Sequence, residues 1–197
     1  VDGPLRPTFP GWYPDAVLLR SQHLRLHFRP RAPTILQTKG YAAMTAKAVL
    51  TPFSFERREV GPRDILIAIT HCGICHSDIH QARDEWGGSI FPMVPGHEIV
   101  GTVVRIGAEV KTFKIGDRAG VGCFVDSCRN CGACKEGQEQ YCESGMLLTY
   151  SGRDQAGHIT QGGYSTQIVV DEQYALRIPA ALSAAGAAPL LCAGITT

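Results

Sequence analysis

The chain has 197 residues, with 19 basic and 18 acidic side chains and a formal net charge of +1. That balance leaves no electrostatic footprint for nucleic acid or a charged membrane surface, and no apolar run is long enough to span a bilayer. A chain of this length can bury a core without disulfide staples, so its eight cysteines call for another explanation.

Residues 1–36 hold six of the twelve prolines and five arginines, against only Asp2 and Asp15 as acids. Ala16–Arg29 is Arg-rich and weakly amphipathic, as organellar transit peptides are, but its prolines and scarce serines argue against one. We read 1–36 as a disordered or artefactual extension and 37–197 as the folded domain.

Within the domain, Asp64–Thr70 places large β-branched residues at alternate positions, Ile65, Ile67 and Ile69, the period of a strand. Cys72-Gly73-Ile74-Cys75-His76 follows, a literal match to the c-type haem attachment pattern that also contains a Cys-x-x-Cys dithiol. Haem attachment belongs to an exported, oxidising setting, and no export signal is visible. No βαβ pattern surrounds the pair to suggest a thioredoxin-like site. Ser77–Trp86 carries a helical signal, and Pro95-Gly96-His97-Glu98 precedes a second strand, Ile99–Ile106, where Gly101 marks a bulge or bend. Phe113–Ile115 reads as strand up to a Gly116-Asp117 turn, and strand resumes at Ala119–Val121.

Next comes Cys128-x2-Cys131-x2-Cys134-x7-Cys142. Two-residue gaps let neighbouring sulfurs converge through tight turns, for which Asn130, Gly132 and Gly137 are suited. Four thiolates close a zinc ion off and leave no open position, so a structural role over 123–145 is expected; an iron–sulfur centre is the rival. Short strands at Tyr164–Val170 and Ala175–Ile178 and a helix over Ser183–Leu191, N-capped by Ser183, complete the pattern. Many short strands with turns between them suggest a β-barrel or sandwich.

Cys75 and His97 with one further thiolate would make a Cys₂His site, which keeps a coordination position open for chemistry. Spacing alone does not choose between Cys72, Cys123 and Cys192 for that thiolate. The clustering of cysteines at metal-ligand spacings points to a reducing, cytoplasmic compartment.

Cys75-His76-Ser77-Asp78-Ile79-His80, Val94-Pro95-Gly96-His97-Glu98, the four-cysteine run and Leu190–Thr196 together resemble the zinc-dependent medium-chain alcohol dehydrogenases. Gln81–Gly87 and Gly162-Gly163-Tyr164-Ser165 are most similar to the branch of cinnamyl-alcohol-dehydrogenase-like enzymes and bacterial aldehyde reductases. The resemblance runs from about residue 38 to the end. It implies a mainly β, partly open GroES-like barrel with a structural-zinc lobe, and two zinc ions per chain. Cys75, His97 and Cys192 would hold the catalytic zinc, with Glu98 behind it and Asp78 orienting His97. Ser77 and His80 would relay the proton, His76 and Thr196 would lie by the NADP(H) or NAD(H), and Trp86 would wall the substrate pocket.

The implied reaction interconverts primary alcohols and aldehydes, with small molecules rather than nucleic acid or membrane as partners and a homodimer as the whole enzyme. The family's α/β cofactor domain needs a Gly-x-Gly-x-x-Gly turn, and Gly116–Gly122 has the wrong spacing. The chain is therefore expected to be the N-terminal catalytic part of a longer enzyme and inactive alone. A non-catalytic zinc module and a haem electron carrier stand as alternatives.

Overall fold

A computed structural model describes residues 35–197, which belong to one compact unit, Pro33–Thr197. The extension expected over 1–36 thus lies outside the described residues but for its last two, and Leu36 already opens a strand.

Strands β1 (Leu36–Ala42) and β2 (Thr51–Arg57) pair as an antiparallel hairpin. The main sheet is built from β3 (Asp64–Cys72), β4 (Ile99–Ile106), β5 (Arg118–Val121), β8 (Gln167–Asp171) and β9 (Leu176–Arg177). Its order is β8-β3-β4-β5-β9, with every neighbouring pair antiparallel. A short pair, β6 (Phe124–Asp126) and β7 (Leu147–Leu148), brackets the four-cysteine lobe, which contains helix α2 (Gly132–Lys135). The fold is mainly β, as expected. Among the described residues no helix is long and apolar enough to cross a membrane.

The alternation seen in β3 and β4 has the packing consequence it implies. Ile65, Ile67, Ile99, Val103, Ala119, Val121, Ile168 and Val170 form one buried cluster, closed by Phe113 and Tyr174. Each fully buried branched side chain contributes on the order of 1.5–3 kcal/mol relative to exposure. The bulge expected near Gly101 is present. Gly101 faces Ile69 while Val100 faces His71, so Thr70 is the extra residue and β3 bends there, shortly before the ligand-bearing segment.

Four elements differ from the sequence reading, the first being the strand expected over Tyr164–Val170, which runs only from Gln167 to Asp171 as β8. Phe113–Ile115 is not a strand. Phe113 is in the core, but Asp117 Oδ2 accepts the Lys114 N–H, and Gly116 N–H bonds Val103 O, so a side-chain-closed turn replaces the ladder. The helix expected over Ser77–Trp86 is α1, His76–Ala82; Asp84 at φ 55° turns the chain out of helical geometry. The last helical stretch divides into α3 (Ala184–Ala187), a 3-10 segment Ala188–Leu191 and α4 (Ala193–Thr196). Ser183 Oγ does cap α3, accepting Gly186 N–H at 3.0 Å, but Pro189 has no N–H with which to continue it.

Candidate metal centres and active site

Strand β3 runs out at Cys72, and three residues later Cys75 N-caps α1. Asp78, in the first turn of α1, reaches back so that its Oδ2 accepts the Cys75 N–H at 2.9 Å, the reciprocal half of a capping box. The capping geometry thereby orients Cys75. On the other side the loop before β4 presents His97, which is 4% exposed, and Glu98, which is 1% exposed. Asp78 Oδ1 takes the Gly96 N–H at 3.0 Å and lies 3.1 Å from His97 Nδ1. With Nδ1 donating to that carboxylate, Nε2 is left with its lone pair free.

From the far end of the chain Cys192 arrives at the junction of the 3-10 segment and α4. Its Sγ is 3.7 Å from Cys75 Sγ, and the donor atoms of Cys75, His97 and Cys192 all lie within 4.8 Å of one another. A tetrahedral zinc ion with Zn–S of about 2.3 Å holds two sulfurs about 3.8 Å apart, so two thiolates and an imidazole at these separations suit it. Burial opposes ionisation of Cys75, but hydrogen bonds from the Ser77 backbone and hydroxyl, His97 and Cys192 hold its thiol below the ordinary value. Burial likewise opposes the charged forms of Asp78 and His97. Their mutual hydrogen bond outweighs it, depressing the Asp78 carboxyl and raising the His97 imidazole.

Glu98 stands behind this group. Its Oε1 accepts the Ala193 N–H at 3.0 Å, tying the residue after Cys192 to the residue after His97. A Cβ at Gly73 would sit 2.1 Å from Glu98 Oε2, so only glycine lets the chain pass the carboxylate. Cys72, the other half of the dithiol pattern, turns away. Its sulfur packs where Cβ atoms on Gly96 and Gly163 would be, 2.8 Å off, and burial pushes its thiol up to about 12. Cys123 is outside the three-donor group, although its thiol meets Cys192.

Of the remaining sequence candidates, Ser77 Oγ is 3.7 Å from Cys75 Sγ. His76 and His80 stack one turn apart on α1 with ring centroids 4.6 Å apart, and Trp86 lies 4.9 Å beyond His80. Trp86 is 58% exposed, so it serves a surface or cleft and not the core. Thr196 is exposed in α4, where its Oγ1 donates to Cys192 O at 2.8 Å.

In the lobe Cys128, Cys131, Cys134 and Cys142 bring four sulfurs within 4.8 Å of one another. The Cys131 N–H points at Cys128 Sγ and the Cys128 N–H at Cys142 Sγ, both at 3.3 Å. Backbone N–H groups of Asn130 and then Cys131 hold the Cys128 thiol down to about 6. Cys134 Sγ lies 3.2 Å from Ser127 Oγ, and a hydroxyl donated to the sulfur lowers its thiol, but burial and the neighbouring Cys131 and Cys142 push it up to about 11. Arg129, at φ 57°, bonds Asp126 at 2.8 Å and Asp171 at 2.6 Å and lies over the Tyr174 ring, fastening the lobe to β8.

Several residues carried no site assignment in the sequence. Glu85 Oε2 is 2.5 Å from His80 Nδ1. Tyr150 stacks on His97 at 5.7 Å between centroids, and the Tyr164 hydroxyl donates to Asp78 Oδ2 at 3.1 Å. Tyr164 lay inside the Gly-Gly-Tyr-Ser wording already quoted; Tyr150 had no signal of its own.

Residues 61–180 match the family described as alcohol dehydrogenase GroES-like domain. The chain is 58% identical over 159 residues to NADP-dependent alcohol dehydrogenase C 1 of Mycolicibacterium smegmatis, covering 80% of this chain and 46% of that protein. It is 52% identical over 157 residues to a probable cinnamyl alcohol dehydrogenase 6 of Arabidopsis thaliana, covering 80% of this chain and 43% of that one. Among solved structures it is similar to the Helicobacter pylori CAD complexed with NADP(H), with 49% identity and a TM-score of 0.80 over 83% of this chain and 47% of that one. The chain spans about half the length of the curated relatives it matches.

Proposed function

The chain belongs to the alcohol dehydrogenase GroES-like domain family, and on that premise we propose that it supplies the metal-binding half of a zinc-dependent enzyme interconverting primary alcohols and aldehydes, with NADP(H) as hydride carrier. The observation that carries the reading is the approach of Cys75 and Cys192 sulfurs to 3.7 Å across 117 residues, with His97 completing the set. Such convergence has a use if one ion binds all three. Zinc held there would act as a Lewis acid on a substrate oxygen, offsetting the charge that develops as hydride leaves or arrives.

The chain's own residues do the rest. Asp78, bonded to Nδ1, fixes the His97 tautomer and leaves the Nε2 lone pair free to hold a metal. Ser77, beside Cys75, is placed to take the proton of a substrate hydroxyl, and His80, one turn along α1, to exchange it with solvent. Glu85, in contact with His80 Nδ1, sets which ring nitrogen is free for that exchange. His76 is exposed on the same face, where a cofactor phosphate would meet it, and Thr196 stands near Cys192 for the nicotinamide. Trp86, close to His80, would wall the substrate cleft. The lobe would hold a second zinc ion in a closed four-thiolate site with no catalytic part.

NADP(H) is favoured because relatives carry NADP dependence in their names and the H. pylori structure contains NADP(H). These 197 residues hold no Gly-x-Gly-x-x-Gly turn, so the chain by itself is proposed to bind metal without turnover.

Elemental analysis of the purified chain tests the reading. Two zinc ions per chain, falling to one in Cys75→Ser, are expected. Iron, a haem absorption band, or a stoichiometry that Cys75→Ser leaves untouched would overturn it. NADPH-dependent aldehyde reduction by the whole enzyme, abolished by the same substitution, is the matching activity result.

A further inference from the structure

Resting on that reading of the mixed site, we propose that Tyr164 is a positioning residue for the Cys75–His97–Cys192 centre, acting through Asp78. Asp78 is 3% exposed and ionised, and an ionised carboxylate offers about four lone-pair positions. Its Oδ1 takes the Gly96 N–H and His97 Nδ1, and its Oδ2 takes the Cys75 N–H and the Tyr164 hydroxyl. Each oxygen thus serves one ligand-bearing segment, and Tyr164 supplies the second donor on the Cys75 side. Without it the carboxylate can swivel about its last bond, and both ligand segments lose their common reference.

The placement of Tyr164 is itself over-determined. Its backbone N–H bonds Pro95 O at 3.0 Å, its hydroxyl also lies 3.4 Å from Gly73 O, and its ring covers Gly96. Gly96 has φ +101°, and a Cβ there would be 2.7 Å from Tyr164 Cδ1, so the glycine admits the ring. One side chain therefore spans the loop leading to Cys75 and the loop carrying His97. Tyr150, stacked on the His97 ring, also bears on Asp78. A residue that merely filled space would have no need of a hydroxyl aimed at a buried carboxylate.

The test loads the chain with Co(II), whose visible bands separate a four-thiolate site from a mixed thiolate–imidazole site, and measures each affinity by chelator competition. Tyr164→Phe keeps the ring over Gly96 and removes only the hydroxyl. It is expected to weaken the mixed site by about tenfold and shift its bands, as loss of an outer partner does, while the lobe's affinity and bands stay as in the unaltered chain. Unchanged affinity and bands at the mixed site would overturn the inference. So would equal weakening at both sites, which is general loosening of the fold. Absence of mixed-site bands from the unaltered chain would instead sink the functional reading beneath it, a result separable from either.

Discussion

The two thiolate sites of this molecule are assembled on opposite plans. The lobe draws its four candidate ligands from Cys128–Cys142 and points its own backbone N–H groups at two of them. The mixed group draws its three candidate ligands from β3's exit, β4's entrance and the junction before α4, and a buried carboxylate bonds two of those segments. A local site is written in spacing and can be fastened on by one arginine. A long-range site needs the whole sheet and is exposed to any change in the residues behind its ligands.

Substitutions at single ligands break the comparison most sharply. Cys192→Ser is expected to empty the mixed centre and spare the lobe, and Cys134→Ser to do the reverse, as read by zinc content per chain. Next is Asp78→Ala. It leaves two buried backbone N–H groups, a tyrosine hydroxyl and His97 without their acceptor, and is expected to cost about 3–5 kcal/mol in urea unfolding together with the mixed-site metal. Gly73→Ala drives a methyl into Glu98 and should cost about 1–3 kcal/mol while leaving lobe metal intact. In the lobe, Arg129→Lys removes the planar fork that bonds Asp126 and Asp171 at once, for a loss of about 1 kcal/mol.

Asp117, which belongs to neither group of candidate ligands, provides the baseline. The Lys114 N–H and the Arg177 charge hold its carboxyl below the usual value. Its contribution is present above the unfolded value and lost as pH falls through the depressed native one. Thermal melts of Asp117→Asn should differ from the unaltered chain by less than about 2 °C at pH 7, and the difference should vanish in acid.

What could be read beforehand follows the same division. The cysteine run was legible because its spacing carries the geometry, and β3 and β4 because Ile65, Ile67, Ile99 and Val103 repeat with the period of a half-buried strand. The hairpin β1–β2 was not: Gln37, Lys39 and Ser54 interrupt it, Pro52 lies within it, and its faces are only partly covered. The third thiolate was unreadable from spacing. Cys72, Cys123 and Cys192 are alike until the fold turns Cys72 against Gly96 and brings Cys192 to Cys75, and it was the resemblance to a family that singled out Cys192. Tyr164 reaches Asp78 across 86 residues, a distance no local pattern records. The overrun of α1 was a matter of one backbone angle, at Asp84.

The wide separation of Cys75 and Cys192 also dictates a schedule. Closing a loop of 117 residues costs about 2 kcal/mol more chain entropy than closing the 14 between Cys128 and Cys142. During synthesis at about 5–20 residues per second, roughly 3–10 seconds separate the emergence of Cys142 from that of Cys192. On the proposed reading the lobe would take its ion and set while Cys75 and His97 still wait for a partner, so a newborn chain would pass through a one-metal stage before it could hold two.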